Sequence, residues 1–199
     1  MKKVFFIGLA AVLALAFFPA AGTGSAQTAP AGPFDKAFET FKSAAAAKDH
    51  VKALAALRSL MASFWSGSAL LLENVRFVKG ADNSYGMYAP REGDVFADGE
   101  PIYLYAEPAG YVIKRNPAGY HEFGFKADFQ VADESGKVLG GQNDFAVLPF
   151  KSWNFNTEIS ITFTYTLSGL EKGKYRITTQ VSDMNSAKKA SCEKWFTIK

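Results

Sequence analysis

The chain has 199 residues and a net charge of +3, from 22 Lys and Arg against 19 Asp and Glu. So near-neutral a chain has no global positive field for nucleic acid, and we expect no nucleic-acid partner. Its single cysteine, Cys192, excludes an internal disulfide, so stability must come from burial of apolar side chains, among them 18 Phe.

The first 26 residues have the three-part pattern of a secretory signal peptide. Lys2 and Lys3 precede an unbroken apolar run over 4–18, and small residues, Gly24 and Ala26, stand where a signal peptidase cleaves. The run is shorter than the about 20 residues of a transmembrane helix. We therefore predict a signal peptide over 1–26, export to the periplasm or beyond the cell, and no membrane span after cleavage. The alternative is a retained membrane anchor.

Residues 27–33 are small, uncharged and rich in Pro, and we interpret them as a flexible lead-in. Helical spacing follows, and a break at Lys48 and Asp49 predicts an antiparallel helical hairpin over 34–68 with Asp49 as the second N-cap. Its apolar stripes are Phe34, Ala37, Phe38, Phe41 and Ala45, then Val51, Leu54, Leu57, Met61, Phe64 and Trp65. Such stripes must be covered by each other, by the outward face of a sheet or by a partner, and we expect docking on a sheet within the chain.

From about Leu70 the apolar residues alternate with polar ones, as in strands with one buried and one wet face. The alternation and turn signals predict strands near 86–96, 101–107, 119–131, 138–147, 158–167, 174–182 and 190–198. Short antiparallel strands at this spacing favour a β-sandwich over 70–199. The predicted fold class is α+β, with the helical hairpin packed on an antiparallel β-sandwich.

The segment 95–105 (VFADGEPIYLY), together with 170–175 and 196–198, resembles bacterial immunoglobulin-like domains of the fibronectin-III or macroglobulin-like kind. The resemblance implies an immunoglobulin-like sandwich, in which the hydroxyl of Tyr175 bonds to the backbone a few residues upstream. The chain after the signal peptide also resembles exported proteobacterial proteins. Both resemblances concern the fold, and a fold does not specify a function.

Most enzyme signatures are absent from the sequence, including G-x-S-x-G, H-E-x-x-H and paired C-x-x-C. Ser186 to Lys189 match S-x-x-K but fall on a predicted polar hairpin tip, where an exposed Lys stays protonated. His121 shares the core-facing phase of its strand and has no partner for a zinc site. We therefore expect no catalytic activity, no cofactor and no metal; a hydrolase without a recognisable motif stays the alternative.

The predicted sandwich brings three connections to one end, and these carry the basic residues Lys114, Arg115, Lys151, Lys188 and Lys189. The residues that we assign to a binding surface there are Tyr111, Lys114, Arg115, Trp153, Lys188 and Lys189. Loops clustered at one end of a sandwich commonly bind ligands. We therefore expect an exported, non-catalytic binding or accessory protein of the bacterial envelope that recognises an acidic protein surface or an anionic glycan.

A carbohydrate-binding module is the alternative function. Tyr103, Tyr105 and Trp195 fall on the outward phase of their strands, where flat aromatic rings stack on sugars. The same rings also provide a surface on which the helical hairpin can dock, and we expect this docking within the chain. The two interpretations differ in whether the helices bury these rings.

Overall fold

A computed structural model of the protein describes residues 32–199. The predicted signal peptide over 1–26, and all of the lead-in except its last residues, lie outside the described residues. Two helices open the described part, α1 (Pro33–Ala46) and α2 (His50–Gly67). The Asp49 side chain accepts a hydrogen bond from the Lys52 amide at 3.0 Å, so the predicted N-cap is confirmed. Lys48, with φ 58°, makes the reversal that folds α2 back along α1.

The hairpin buries its small residues and exposes its large ones. Its buried residues are Ala44, Ala53, Ala56 and Leu60. The large apolar side chains of the predicted stripes are exposed at Phe34, Phe38, Val51, Leu54, Leu57, Met61 and Phe64. Neither helix packs along a sheet in the described part of the chain. The expectation that a sheet covers these stripes is therefore wrong.

The β region consists of two sheets. The first has the order β1 (Leu71–Val78), β3 (Ile102–Ala109), β7 (Ile161–Tyr165), all antiparallel. The second runs β2 (Val95–Phe96), β9 (Lys189–Ile198), β8 (Gly173–Asp183), β5 (His121–Asp133), and both β6 (Val138–Ser152) and β4 (Lys114–Arg115) pair with β5. Only the β2–β9 pair is parallel. Two helices followed by antiparallel sheets confirm the predicted α+β class.

The first strand differs from the prediction. A strand was expected near 86–96, but only Val95 and Phe96 of this segment join a sheet, and β1 takes the edge position instead. Pro90 lacks an amide proton, and Gly86 and Gly93 adopt positive φ angles of 69° and 76°, so this stretch cannot continue a ladder.

The core lies between the two sheets. Leu104 and Phe163 from the first sheet meet Phe125, Ile177 and Phe196 from the second, and all five are buried. Along β8 the burial alternates strictly, as its sequence pattern predicts. Burial of this many aromatic and branched side chains stabilises the β region without a disulfide.

A loop, and not the helices, covers the outward face of the first sheet. Tyr105 points away from the core in the strand phase, yet it is fully buried beneath the segment 79–94. Its ring lies 4.4 Å from that of Tyr88, and its hydroxyl donates to Glu107 Oε1 at 2.6 Å. The Gly86 amide also donates to Glu107 Oε1, at 3.2 Å. The expectation that the helices cover this face is therefore wrong at Tyr105.

Two smaller expectations concern the last strands. The Tyr175 hydroxyl donates to the Glu171 carbonyl at 2.7 Å, which is the upstream backbone bond that the resemblance implies. The Cys192 thiol is half-buried, and burial raises its pKa, so it is protonated and unreactive at neutral pH.

None of the helices in residues 32–199 is long and apolar enough to cross a membrane.

Candidate functional site

Three connections meet at one end of the sandwich, as predicted, and we call segments 110–120, 153–160 and 184–188 the loop end. The antiparallel pairs β5–β6 and β5–β8 place them together. Side chains then bind them to one another: Asn185 Nδ2 donates to the Val112 and Glu122 carbonyls, both at 2.9 Å. The Tyr111 hydroxyl donates to the Asn156 carbonyl at 2.7 Å. The loop end is therefore a cross-linked surface.

Tyr111, assigned from the sequence to the binding surface, is completely buried. Its ring centroid lies 5.0 Å from those of Phe123 and Phe125 and 5.3 Å from that of Trp65. Burial raises the pKa of its hydroxyl well above the usual range. A ligand cannot reach this side chain, so its assignment to the surface is corrected. It supports the loop end from below.

Lys188 is also bound within the chain. Its Nζ donates to the Ser66 carbonyl at 3.0 Å and to the Gly110 carbonyl at 2.8 Å. Ser66 lies in the last turn of α2, where carbonyls have no helical partner and attract a cation. Gly110, with φ 77°, passes so close to Ala69 that a Cβ would collide with the Ala69 carbonyl. Lys188 therefore fastens the base of the helical hairpin to the loop end, and its charge is not free for a partner.

The other assigned residues are exposed. Lys114 and Arg115 form β4, where they pair with Glu122 and His121 of β5. The Lys189 Nζ lies 3.4 Å from Gln180 Oε1. Within residues 32–199, none of these three cations takes part in an ion pair. Their charges are available to a ligand.

An exposed aromatic and basic group forms the most distinctive part of the loop end, and we call Tyr120, Lys151 and Trp153 the aromatic–basic cluster. Trp153 is 77% exposed, and its ring stands edge-on to that of Tyr120 at 6.0 Å. The Lys151 Nζ lies 5.0 Å from the Tyr120 ring centroid, within cation–π range. With Ala118 and Ser152 these residues line a shallow concavity of about 310 Å³.

Sequence reasoning assigned Trp153 to the binding surface and placed Lys151 at the same end without assigning it, but it did not identify Tyr120. Tyr120 and Lys151 are far apart in the chain, and the β5–β6 pairing brings them together, with Glu122 opposite Lys151. A register prediction for the two strands is the signal that could have found them.

The opposite end of the sandwich uses its carboxylates differently. Asp133 accepts hydrogen bonds from Ser135 and Lys137, and these lower its pKa. Glu100 accepts the Ala97 amide at 2.9 Å, which lowers its pKa, and it pairs with Arg91 at 2.8 Å. These carboxylates close turns, whereas Lys114 and Arg115 at the loop end form no ion pair within residues 32–199.

The weaker chemical candidates are bound within the fold. The Ser186 hydroxyl donates to the buried carboxylate of Asp183 at 2.5 Å. The Nζ of Lys189, the lysine of the S-x-x-K match, lies 3.4 Å from Gln180 Oε1, so both side chains of this motif have other partners. His121 is half-buried against Phe155, with its Nδ1 unpartnered among the described residues. Residues 32–199 contain no group of three or more His, Cys, Asp or Glu suited to a metal ion.

Comparisons with known proteins give little further information. No protein-family model matches the sequence, and no curated protein matches it. Among solved structures, the chain is similar to CopC from Methylosinus trichosporium OB3b, with 13% identity and a TM-score of 0.31. The match covers 63% of this chain and 93% of that chain. At this TM-score the likeness supports no conclusion about function.

Proposed function

We propose that this chain is an exported, non-catalytic binding protein whose loop end recognises an anionic glycan. The observation that carries the proposal is Trp153, a large aromatic side chain left 77% exposed beside Tyr120 and Lys151. Its position next to a second aromatic ring and a lysine offers a ligand both apolar surface and a positive charge.

The chemistry of the surface suits an acidic sugar. The exposed Trp153 ring, with Tyr120 beside it, offers apolar area for a sugar ring, whose C–H groups pack against aromatic faces. Lys151 lies beside them, and Lys114 and Arg115 are at the same end of the sandwich. Charge-assisted hydrogen bonds from these cations to a carboxylate or sulfate supply orientation and affinity.

We also propose that the β region is an immunoglobulin-like sandwich and that residues 1–26 direct export. The sheet order β1–β3–β7 against β9–β8–β5–β6, with β2 parallel to β9, supports the first proposal. The sequence pattern of residues 1–26 supports the second.

The aromatic platform formed by Tyr103, Tyr105 and Trp195 is a weaker candidate. Tyr105 is buried, and Trp195 lies in the other sheet with Lys174 and Arg176 about its ring at 5.1 and 5.7 Å. Because these residues do not form one exposed row, we place the glycan site at the loop end.

Isothermal titration of residues 27–199 with polygalacturonate and dextran sulfate at low ionic strength tests the proposal, with neutral dextran as the control ligand. We expect binding to the anionic polymers that weakens as salt increases. Trp153→Ala combined with Lys151→Gln should lower the affinity at least about tenfold, because both the stacking surface and a charge are lost.

Trp195→Ala is the matched control, since it removes a partly exposed tryptophan elsewhere on the molecule and should leave the affinity unchanged. Equal binding by the Trp153 variant, or no binding to either anionic polymer, would overturn the proposal. Tight binding of poly-glutamate that is insensitive to Trp153 would assign the surface to an acidic protein instead.

A further inference from the structure

The hairpin of α1 and α2 has one large apolar face that no other segment of residues 32–199 covers. On α2 the exposed apolar residues follow helical spacing, from Val51 through Leu57 and Met61 to Phe64. The opposite side of the hairpin is a shallow groove without large apolar side chains, lined by Pro33, Lys36, Ala37, Thr40, Lys52, Ala55, Ala56 and Ser59. Helical periodicity puts Phe34 and Phe38 of α1 on the side away from this groove, next to the α2 residues.

The burial pattern of the hairpin is the opposite of the one expected for two helices that pack only against each other. Two helices that need only each other bury their large residues between them, but here the shared interface is built from Ala44, Ala53, Ala56 and Leu60. Small residues let the two helices approach closely and leave Leu57, Met61 and the phenylalanines to face a third element. Residues 32–199 supply no such element.

We propose that a second copy of this chain covers the face, so that two hairpins form a four-helix bundle. Seven large side chains, 44–83% exposed, amount to about 600 Å² of apolar surface per copy. With a polar rim, the face approaches the roughly 800 Å² per partner of a standard interface. An area of about 600 Å² lies at the upper end of the range, about 300–600 Å², for the largest apolar patch on a typical monomeric protein.

Charge is compatible with this pairing. Arg58 is exposed next to the apolar face and forms no ion pair within the described residues. The turn at Lys48 places Glu39 of α1 at about the level of Arg58 on α2. In an up–down–up–down bundle, α1 of one copy lies against α2 of the other. Glu39 pairs with Lys42 of its own helix at 3.2 Å, so these two residues together bring no net charge toward Arg58.

Sedimentation of residues 27–199 over a concentration series tests the pairing. We expect a dimer at micromolar concentration, and Leu57→Asp with Met61→Asp should shift it to monomer with at least about a 100-fold weaker association. The control, Lys52→Asp with Ser59→Asp, alters the groove side of the same helix and should leave the dimer intact. A wild-type chain that stays monomeric to about 100 µM, or a dimer indifferent to the face variant, would overturn the proposal.

Cross-linking keeps the test independent of any folding defect. In a Cys192→Ser background, which is free of cysteine, Leu57→Cys should form a disulfide between two copies under mild oxidation, and Ser59→Cys should not. Equal cross-linking of the two positions would count against this face. Since these variants leave the loop end unchanged, loss of the dimer and loss of glycan binding are separate outcomes.

Discussion

The β region and the helical hairpin of this protein use their apolar residues in opposite ways. Between the sheets, Phe125, Phe163 and Phe196 are buried, and along β8 buried residues alternate with more exposed ones. In the hairpin, alanines are buried and Phe34, Phe38 and Phe64 are exposed. Both regions have regular, amphipathic sequences, so pattern alone does not distinguish them.

The difference shows which region is complete. The β region closes its own core, and even the outward face of its smaller sheet is covered by the segment 79–94. The hairpin leaves an apolar face open, and within residues 32–199 its attachment to the sheets is concentrated at the C-terminal end of α2. The stability of a region that closes its own core should depend mainly on its buried residues. The hairpin, which we propose to pair through its exposed apolar face, should also be sensitive to changes on that face.

The largest effect should come from truncation of Tyr111. Tyr111→Ala removes a fully buried ring that contacts Phe123, Phe125 and Trp65, and it should lower the free energy of unfolding by about 3–5 kcal/mol. Tyr111→Phe keeps the ring and loses only the hydrogen bond to Asn156, so it should cost about 1 kcal/mol. Urea unfolding followed by tryptophan fluorescence measures both. Equal effects would mean that the packing of the ring is unimportant.

Within the hairpin, a matched pair of leucines tests the reversed burial. Leu60→Ala should lower the local stability of the hairpin by about 2 kcal/mol, because Leu60 is buried between the helices. Leu57→Ala, one turn away and exposed, should change it by no more than about 0.5 kcal/mol in the monomer. Hydrogen exchange of the helical amides at low protein concentration gives both values. A larger effect at Leu57 would contradict the burial pattern.

The buried carboxylate of Glu107 gives a pH-dependent contribution to the β region. Burial raises its pKa, but hydrogen bonds from Tyr105, Asn74 and the Gly86 amide outweigh burial and lower it. A carboxyl with a lowered folded pKa stabilises the fold above its unfolded pKa, about 4.3 for Glu, and this stabilisation is lost as the pH falls through the folded value.

Glu107→Gln should therefore lower the free energy of unfolding at pH 7 by about 1–3 kcal/mol, since an amide group would face the Asn74 Nδ2 donor. The difference from wild type should shrink as the pH is lowered below 4. Thermal unfolding over a pH series measures it. A difference that stays constant from pH 7 to pH 3 would argue against an ionised Glu107.

The smallest effect should arise at the junction of the two regions. Lys188→Met removes two charge-assisted hydrogen bonds to the Ser66 and Gly110 carbonyls and should cost about 1–2 kcal/mol. Hydrogen exchange should increase at the end of α2 and stay unchanged in the strands. Lys189→Met is the control, because Lys189 holds neither carbonyl; equal changes for the two variants would contradict the assigned role.

Much of the architecture could be predicted from local patterns. Asp49 could be predicted as an N-cap because Asp is a preferred residue directly before a helix, and its side chain does accept a hydrogen bond from the amide three residues ahead. The strand β8 could be predicted from the strict alternation of its residues. The grouping of the loops at one end followed from antiparallel order. Within the candidate site, the exposure of Lys114, Arg115 and Trp153 agrees with the prediction, while their role in binding stays a prediction.

The burial of Tyr111 and Tyr105 could not be predicted, because each is covered by a segment distant in the chain. Tyr111 contacts Trp65 of α2, and Tyr105 lies beneath Tyr88. From the sequence alone, Lys188 is predicted to be an ordinary surface lysine. In the structure its Nζ donates to the Ser66 carbonyl at the end of α2. Alternation in the sequence predicts which face of a strand a side chain occupies, but it does not predict which distant segment covers that face.

Apart from the first strand, the amino-acid order by itself determined the element types and the chain direction at each end of the sandwich, because these depend on near neighbours through periodicity, caps and turns. Only the tertiary structure decided which of two adjacent stripes on α2 became the inside of the hairpin. The stripe through Ala53, Ala56 and Leu60 and the stripe through Leu54, Leu57 and Met61 differ by one residue in phase. Close approach of α1 selects the smaller side chains, and the larger ones are left facing outward.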